Sequence, residues 1–374
     1  MTMRDCTIYA LPAPRAGASI AAISGIYYRA ASTRFVRQHG ALLRGATAGT
    51  RRVWEAWKSS RPDWRIDWDR AVGALTIDCA EPRTETRRRW VEFLLHLSSH
   101  GVQGDWEARF ATPVTLAFRG GLLRDLRGIS VSTRGDRTPQ VEIHSDSPQF
   151  FEPRPNLIWR RQRISVLSLA DVARPGGEVA DDNAVDEIFP ARVWADRWNN
   201  LTSAIGVLES FVPHYAGWVR RVFRAVIPLI SPRGVTMSSS DATAPGVIRM
   251  SLDHDPITIG ELLIHESAHL YFHLLEHGGP VINGADPALY WSPFRRAERP
   301  IRNLLLAYHA FVNVVLYYRS LEGVREANRV AIRAVSETIE QHLAQIDGPL
   351  ECSHGLTPRG RFVWSALHQE LNAP

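Results

Sequence analysis

The feature that most constrains the structure and chemistry of this 374-residue chain is a pair of histidines four residues apart, His265 and His269. Glu266 lies between them. On a helix, side chains at this spacing project from one face, one turn apart. Two such imidazoles can bind one divalent ion while the glutamate reaches over the same site. The pattern therefore predicts a helix that carries a metal centre.

The sequence also predicts where this helix begins and ends. Thr258 and Glu261 have the spacing of a capping box. Gly278, Gly279 and Pro280 follow as a stop signal. Because the histidines fall between these signals and among apolar residues, we expect the motif to lie inside a stable helix.

A metal centre of this kind needs a further protein ligand. His273 lies eight residues after His265, about 12 Å along a helix, so it cannot share one ion with both motif histidines. Two later residues are better candidates: Glu298 in a loop, and His309 in the next predicted helix. We favour His309, because an antiparallel pair of helices would bring it over the motif.

Two chemistries are compatible with such a ligand set. With zinc, Glu266 would polarise a bound water and the protein would hydrolyse a peptide bond. With ferrous iron, two histidines and one further ligand leave open positions for a 2-oxo acid and oxygen. The metzincin subclass of proteases is excluded, since Phe272 and Leu275 replace the glycine and histidine that its motif requires.

Arginines crowd the segment that follows the motif: Arg295, Arg296, Arg299 and Arg302. A guanidinium can bind a carboxylate through two hydrogen bonds. An iron enzyme needs such a group to hold the far carboxylate of the oxo acid. Ordinary surface arginines are the alternative interpretation.

The composition argues against a nucleic-acid partner, although the formal net charge is +5. Arginine supplies nearly all of the positive charge, since Lys58 is the only lysine. These arginines are spread along the chain, whereas a nucleic-acid binder concentrates them in a stripe or a recognised motif. We therefore expect no nucleic-acid partner.

The sequence also predicts neither a membrane span nor a secretion signal. A membrane helix needs roughly 20 consecutive apolar residues, and the longest runs are much shorter. The apolar stretch from Ala16 to Ile26 lacks the large residues of a signal peptide, so we expect a short helix that packs on the protein. Three distant cysteines favour a reducing compartment. These observations predict a cytoplasmic protein.

The character of the chain changes near its middle. Residues 32–100 are mainly helical in pattern, and we expect their tryptophans in the core: Trp54, Trp57, Trp64 and Trp68. Alternating runs then predict an antiparallel sheet: Val114–Phe118, Ile129–Thr133, Val141–His144 and Ile164–Ser168. Residues 173–183, rich in glycine and acids, predict a linker or surface loop.

Helical patterns dominate the second half: Val193–Val212, Tyr215–Ile227 and segments near 259–277, 300–322 and 324–346, with a short strand at Val247–Leu252. We therefore expect an α+β protein with two regions. Residues 181–374 would form a mainly helical metal-binding catalytic domain. Residues 1–180 would form a smaller region of helices and antiparallel sheet, with peptide recognition as its candidate role.

The order of motifs in the second half resembles a known family. A serine-rich turn with Ala244-Pro245-Gly246 precedes the histidine motif, and Trp291-Ser-Pro-Phe-Arg295, Arg299-Pro300 and a helix with His309-Ala-Phe311 follow it. This order resembles the HExxH-motif peptide-modification proteins found beside ribosomally made peptide natural products. Members are understood as Fe(II)- and 2-oxoglutarate-dependent peptide β-hydroxylases. The resemblance covers about residues 195–320, and Asn303 replaces a glycine usual in the family.

The resemblance implies a role for each site residue. His265 and His269 would bind the metal, with His309 as a natural third ligand. Arg295 and Arg299 would contact the oxo acid or the substrate. Glu266 would orient a ligand or a bound water rather than move an essential proton. The implied co-substrate is 2-oxoglutarate, and the implied partner is a precursor peptide.

The expected activity is therefore the hydroxylation of a side-chain β-carbon in a ribosomally made peptide. Two alternatives remain open from the sequence. One is a zinc metallopeptidase of the gluzincin type. The other is a non-catalytic peptide-binding protein that keeps the motif for structural reasons.

Overall fold

The structure is a computed structural model. It describes residues 9–12, 16–44, 47–63, 68–76, 83–118, 121–133, 140–145, 151–153, 156–160, 162–167, 191–229, 231, 235–322 and 329–373. The predicted loop at 173–183 and the predicted core residue Trp64 lie outside these ranges.

The described helices, in chain order, are α1 (Ala16–Arg44), α2 (Thr50–Ser59), α3 (Arg70–Gly73), α4 (Arg83–Ser99), α5 (Ala191–Phe211), α6 (Pro213–Val222), α7 (Pro256–His277), α8 (Ile301–Glu322), α9 (Arg329–Cys352) and α10 (Pro358–Leu371). A short 3-10 helix, Ala74–Thr76, follows α3.

The described strands are β1 (Thr47–Ala48), β2 (Gly104–Phe118), β3 (Gly121–Thr133), β4 (Gln140–Ser145), β5 (Phe151–Pro153), β6 (Asn156–Trp159), β7 (Gln162–Val166), β8 (Ala225–Leu229), β9 (Ser238–Ser240), β10 (Val247–Ser251), β11 (Leu289–Ser292) and β12 (Ala297–Pro300). All four predicted strand runs of the first half fall within these strands or overlap them. The expectation of a single antiparallel sheet is wrong for Ile164–Ser168, because it overlaps β7, which lies in a separate sheet and pairs in parallel with β8.

The first sheet is antiparallel, in the order β1-β2-β3-β4, and β5 also pairs with β3. Its buried face carries cross-strand apolar pairs such as Trp106 opposite Val131. Helices α2 and α4 cover this face, and Trp57 of α2 meets Phe93 of α4 edge to face. Trp54, Trp57 and Trp68 are buried, as the sequence predicts.

The second sheet joins the two halves of the chain. Its order is β6-β7-β8-β10-β9, with β7, β8 and β10 parallel and the two outer strands antiparallel to their neighbours. Strands β6 and β7 come from before residue 180, and the others come from after it. A division of the chain at residue 180 would therefore cut this sheet, and the boundary expected there stays a prediction.

One predicted helix is wrong at its end. The pattern predicts a helix over Tyr215–Ile227, but α6 ends at Val222 and residues 225–229 form strand β8. Every residue of β8 is buried between neighbouring strands. A short, fully buried apolar run has no hydrophobic face, so periodicity cannot separate strand from helix there. Helix α10 has no counterpart in the predictions.

The fold class is confirmed as α+β, with a mainly helical C-terminal region and antiparallel strands and helices in the N-terminal region. Helix α7 lies at the centre of the helical region, in contact with α5, α6 and α8, and β9 and β10 pack beside it. Among the described helices, only α8 is long and apolar enough to cross a membrane, but 67% of its apolar window is buried inside the protein. This burial is typical of a core helix.

Candidate metal centre

Helix α7 carries the histidine motif and starts three residues before the predicted capping box. Asp255 is the N-cap residue, and its carboxylate accepts hydrogen bonds from the backbone N–H groups of Ile257 and Thr258. Pro256 occupies the first turn, where a missing N–H costs nothing. Glu261 does not cap the helix, because its carboxylate accepts a hydrogen bond from Tyr318 of α8. The predicted stop is confirmed, since the helix ends at His277 with Gly278 as its C-cap.

The helix brings three potential ligands together. One atom from each of His265, Glu266 and His269 lies within 4.8 Å of the other two. The two imidazole rings stand nearly perpendicular, with centroids 4.6 Å apart. Both histidines are half-buried, whereas Glu266 is 1% exposed. The spacing of four residues therefore places the histidines as the sequence predicts.

Burial keeps the two imidazoles neutral. Loss of solvation, followed by the charge of His269, lowers the pKa of His265 to about 3. Loss of solvation, followed by the charges of His273 and His309, lowers the pKa of His269 to about 3 as well. A neutral imidazole offers a free lone pair near pH 7, which is the form that binds a metal ion.

Two serines hold the carboxylate of Glu266. The Ser238 hydroxyl donates to Oε1 and the Ser240 hydroxyl donates to Oε2, both at 2.7 Å. Both serines belong to β9, the edge strand of the second sheet. Among the described residues, no arginine or lysine forms an ion pair with Glu266. The buried carboxylate therefore has hydrogen-bond donors but no cation from the described protein.

An aromatic wall borders the histidines. The ring of Phe311 on α8 lies edge to face with His265, at a centroid distance of 4.7 Å. Phe294, in the turn between β11 and β12, stacks on Phe311 at 3.7 Å with an interplanar angle of 6°. His342 of α9 also meets Phe294 edge to face, at a centroid distance of 5.3 Å. This stack attaches the β11–β12 turn to the helix beside the candidate site.

The same turn presents Arg295. Its backbone N–H donates to the carbonyl of Ser292, and Arg296 adopts a left-handed conformation with φ 48°. Arg295 is exposed, and its charge contributes to the lowered pKa of both motif histidines after the larger effect of burial. Among the described residues it forms no ion pair. Arg295 is therefore a cation close to the histidines and available to an anion.

The other predicted co-substrate residue, Arg299, lies farther along the hairpin. It stands on β12 opposite Tyr290 of β11 and forms no ion pair with another described residue. Arg302 differs from both, since it makes two hydrogen bonds with Glu276 on α7, at 2.6 and 2.5 Å. That pairing makes Arg302 a structural link between α7 and α8.

The structure does not bring His309 into the ligand group. Its Nε2 donates to the carbonyl of Tyr9 at 2.8 Å, and the ring is 1% exposed. Its neighbours are the rings of Trp218 and Phe272. Phe311, two residues later, takes the side of α8 that meets His265. Glu298 is also outside the group and is exposed on β12. In this arrangement neither residue belongs to the ligand group, and the ligand role expected from the sequence is decided by the metal content of variants.

Sequence reasoning missed the residues that support the site. Ser238 and Ser240 stand two apart, the strand spacing that places two side chains on one face. Asp286 accepts hydrogen bonds from the hydroxyls of Tyr290 and Ser353, at 2.7 and 2.5 Å, and so ties β11 to the segment after α9. The spacing of the two serines could have been recognised in the sequence. The contacts of Asp286 could not, because its hydrogen bond with Ser353 joins residues 67 apart and leaves no local pattern.

The side chains present fit a divalent ion. Two neutral imidazoles and one carboxylate are the donors that zinc and iron sites use. Nδ1 of His269 is buried and has no hydrogen-bond partner among the described residues. A scan against protein-family models and a search of curated proteins gave no match.

Proposed function

We propose that this protein is an Fe(II)- and 2-oxoglutarate-dependent oxygenase that hydroxylates a side-chain β-carbon of a ribosomally made peptide. The observation that carries the proposal is the group formed by His265, Glu266 and His269, with Arg295, which forms no ion pair with another described residue, beside it. A hydroxylase of this class consumes oxygen and 2-oxoglutarate and yields succinate, carbon dioxide and the hydroxylated peptide. Bound iron would supply the oxidising chemistry.

The chain's own residues have distinct tasks in this proposal. His265 and His269 bind the ion through neutral imidazole nitrogens. Arg295 binds the far carboxylate of 2-oxoglutarate, since a guanidinium pairs with a carboxylate through two parallel hydrogen bonds. Arg299 is farther along the hairpin and would contact the peptide or the co-substrate.

The surroundings of Glu266 favour this chemistry over hydrolysis. A zinc peptidase needs the glutamate to take a proton from the bound water and pass it to the leaving amine. Here both carboxylate oxygens already accept a serine hydroxyl, and the side chain is almost fully buried. Such a carboxylate is suited to orienting a ligand rather than to relaying protons.

The outer face of the β11–β12 hairpin is the surface we assign to the peptide. Leu289 and Trp291 project there with 54% and 53% of their surface exposed. Exposed tryptophan and arginine are the residue types that most often carry binding energy at protein interfaces. The hairpin lies next to the histidines through Phe294, so a bound peptide would be close to the ion. We place the enzyme in the cytoplasm, where precursor peptides are made.

Metal analysis combined with succinate release tests the proposal. The purified chain is loaded anaerobically with Fe(II) and given 2-oxoglutarate, oxygen and short ribosomal peptides encoded near its own gene. Peptide-stimulated succinate, with a mass gain of one oxygen on the peptide, is the expected result. His144, exposed on β4, provides a matched control: His265→Ala should abolish succinate release and His144→Ala should not.

Two other outcomes would overturn the proposal. Zinc in the purified protein together with a cleaved peptide would identify a peptidase. Absence of bound metal, with peptide binding retained, would identify a non-catalytic recognition protein.

A further inference from the structure

The strand β9 presents its serines to α7 in a fixed arrangement. Successive side chains of a strand alternate between faces, so Ser238 and Ser240 share the face toward Glu266 and Ser239 points to the other face. The register is fixed by pairing with β10, where Ser240 lies opposite Ile248. The backbone therefore positions both hydroxyls before any ligand is bound.

Glu266 accepts the hydroxyl protons of both serines. A serine hydroxyl has one proton, and each serine donates it to a different oxygen of Glu266. Two donors on two oxygens fix both the rotamer of the side chain and the plane of its carboxylate. The Ser240 hydroxyl also lies 3.4 Å from the Glu266 backbone carbonyl, so the contact extends to the helix itself.

The carboxylate lacks a positive partner among the described residues, which is unusual for a buried acid. Buried charges in proteins are paired with an opposite charge or bound to a metal ion. The candidate ligands next to Glu266 are His265 and His269, and one atom of each lies within 4.8 Å of a carboxylate oxygen. A divalent ion between the two rings would supply the missing charge.

We infer that Ser238 and Ser240 are positioning residues that aim the Glu266 carboxylate at a divalent ion held by His265 and His269. The inference rests on the metal centre of the proposed function, and it adds the sheet edge as the element that sets the geometry of that centre. Residues that orient a metal ligand or its neighbour typically change metal affinity by about 10- to 100-fold when they are removed.

Cobalt(II) binding to the full chain tests this role without a substrate. The visible absorption of Co²⁺ reports the number and arrangement of its ligands, and titration gives the dissociation constant. The double variant Ser238→Ala/Ser240→Ala should bind Co²⁺ about 10- to 100-fold more weakly, with a shifted visible spectrum. Ser239→Ala removes a hydroxyl from the same strand on the opposite face, and it should match the wild type in both measurements.

A hydroxyl-retaining variant separates orientation from folding. Ser238→Thr/Ser240→Thr keeps both donors on residues that suit a strand, and it should recover most of the affinity and the wild-type spectrum. Circular dichroism melting of each metal-free variant confirms that the chain is folded.

The outcomes distinguish this inference from the proposed function. If the wild-type chain binds no Co²⁺, the metal centre itself is wrong and both ideas fail. If the wild type binds Co²⁺ and the alanine double variant has the same affinity and spectrum, only the role of the serines is overturned. An equal loss in Ser239→Ala would also overturn it, because the effect would then belong to the strand and not to the hydroxyls.

Discussion

At the residue scale, histidines of one chain serve different purposes because their surroundings differ. His265 and His269 are half-buried, next to a carboxylate, with ring atoms that can meet an ion. His309 is fully enclosed, and its Nε2 proton is committed to the carbonyl of Tyr9. The spacing of four residues made the first pair predictable. The burial of His309 depends on a segment 300 residues away, which no local pattern reveals.

Metal loading should therefore respond differently to substitution of these histidines. His265→Ala removes one of two imidazole ligands and should abolish stoichiometric metal binding while the far-ultraviolet circular dichroism spectrum stays unchanged. His309→Asn keeps a hydrogen-bond donor for Tyr9 and should retain the metal. Metal content measured by plasma mass spectrometry after dialysis checks both. Loss of metal in His309→Asn would restore His309 as the third ligand.

The pH dependence of stability offers a second test of His309. Burial lowers the pKa of this histidine to about 4, although backbone carbonyls, that of Tyr9 first, favour its charged form. In the unfolded chain the imidazole of His309 binds a proton below about pH 6.5. Its contribution to the free energy of unfolding is therefore complete above that pH and is lost as the pH falls toward 4. Between pH 7 and pH 5 the free energy of unfolding falls by about 2 kcal/mol on this account.

Replacement of His309 by asparagine should therefore flatten the pH profile. Urea unfolding of the metal-free protein at pH 7 and pH 5 gives the comparison. The wild type should lose about 2 kcal/mol more than His309→Asn over this interval. Parallel losses in the two proteins would show that the imidazole is not held neutral in the fold.

At the element scale, α7 was predictable as a helix but its first residue was not. Two start signals stand three residues apart, Asp255-Pro256 and the Thr258–Glu261 box, and the first one is used. Tertiary contacts select the first signal. The Glu261 carboxylate, which the capping box would need, instead accepts a hydrogen bond from Tyr318 of α8. The same limit applies to β8, where burial on both sides hides the strand period.

The cap itself gives a prediction about this helix. Burial alone would raise the pKa of Asp255, but hydrogen bonds from Thr258 and the helix N–H groups outweigh it and hold the pKa below its usual value. The ionised carboxylate of Asp255 therefore stabilises the fold fully at pH values above the usual pKa of aspartate. This contribution is lost as the pH falls through the lowered pKa of the folded protein. Asp255→Ala should cost about 1 kcal/mol at neutral pH.

Unfolding by urea at pH 7 and near pH 3 measures this effect, with Asp253→Ala as the control. Asp253 is exposed just before the cap and accepts no hydrogen bond from a helix N–H among the described residues. The Asp255 variant should differ from wild type at pH 7 and converge with it in acid. An equal cost for both variants would contradict the assignment of the cap.

At the scale of the whole molecule, the fold class could be predicted from the change in periodicity along the chain. The contacts between distant elements could not. Strand β7 pairs in parallel with β8 across residue 180, and the indole N–H of Trp68 donates to the carbonyl of Val222. These contacts join segments 60 to 154 residues apart, such as Ser165 with Ala225. Local patterns specify elements, whereas only the packed molecule specifies which elements meet.

The joined sheet predicts that the helical half does not fold alone. A chain of residues 181–374 lacks β6 and β7, and it also lacks the Tyr9 segment that covers α8. It should bind the dye ANS and unfold without a cooperative transition. The full chain, under the same conditions, should show a single sharp transition by calorimetry. Cooperative unfolding of the shorter chain would establish residue 180 as a true domain boundary.

The contact between Tyr9 and His309 also bears on biosynthesis. Asn313 donates to the next carbonyl, that of Ala10, so two buried side chains of α8 bond to a segment that is synthesised about 300 residues earlier. A ribosome adds roughly 5–20 residues per second, so some 15 to 60 seconds separate the synthesis of this segment from that of α8. These two hydrogen bonds can form only after α8 has emerged. We therefore expect the helical core to close only after α8 has been synthesised.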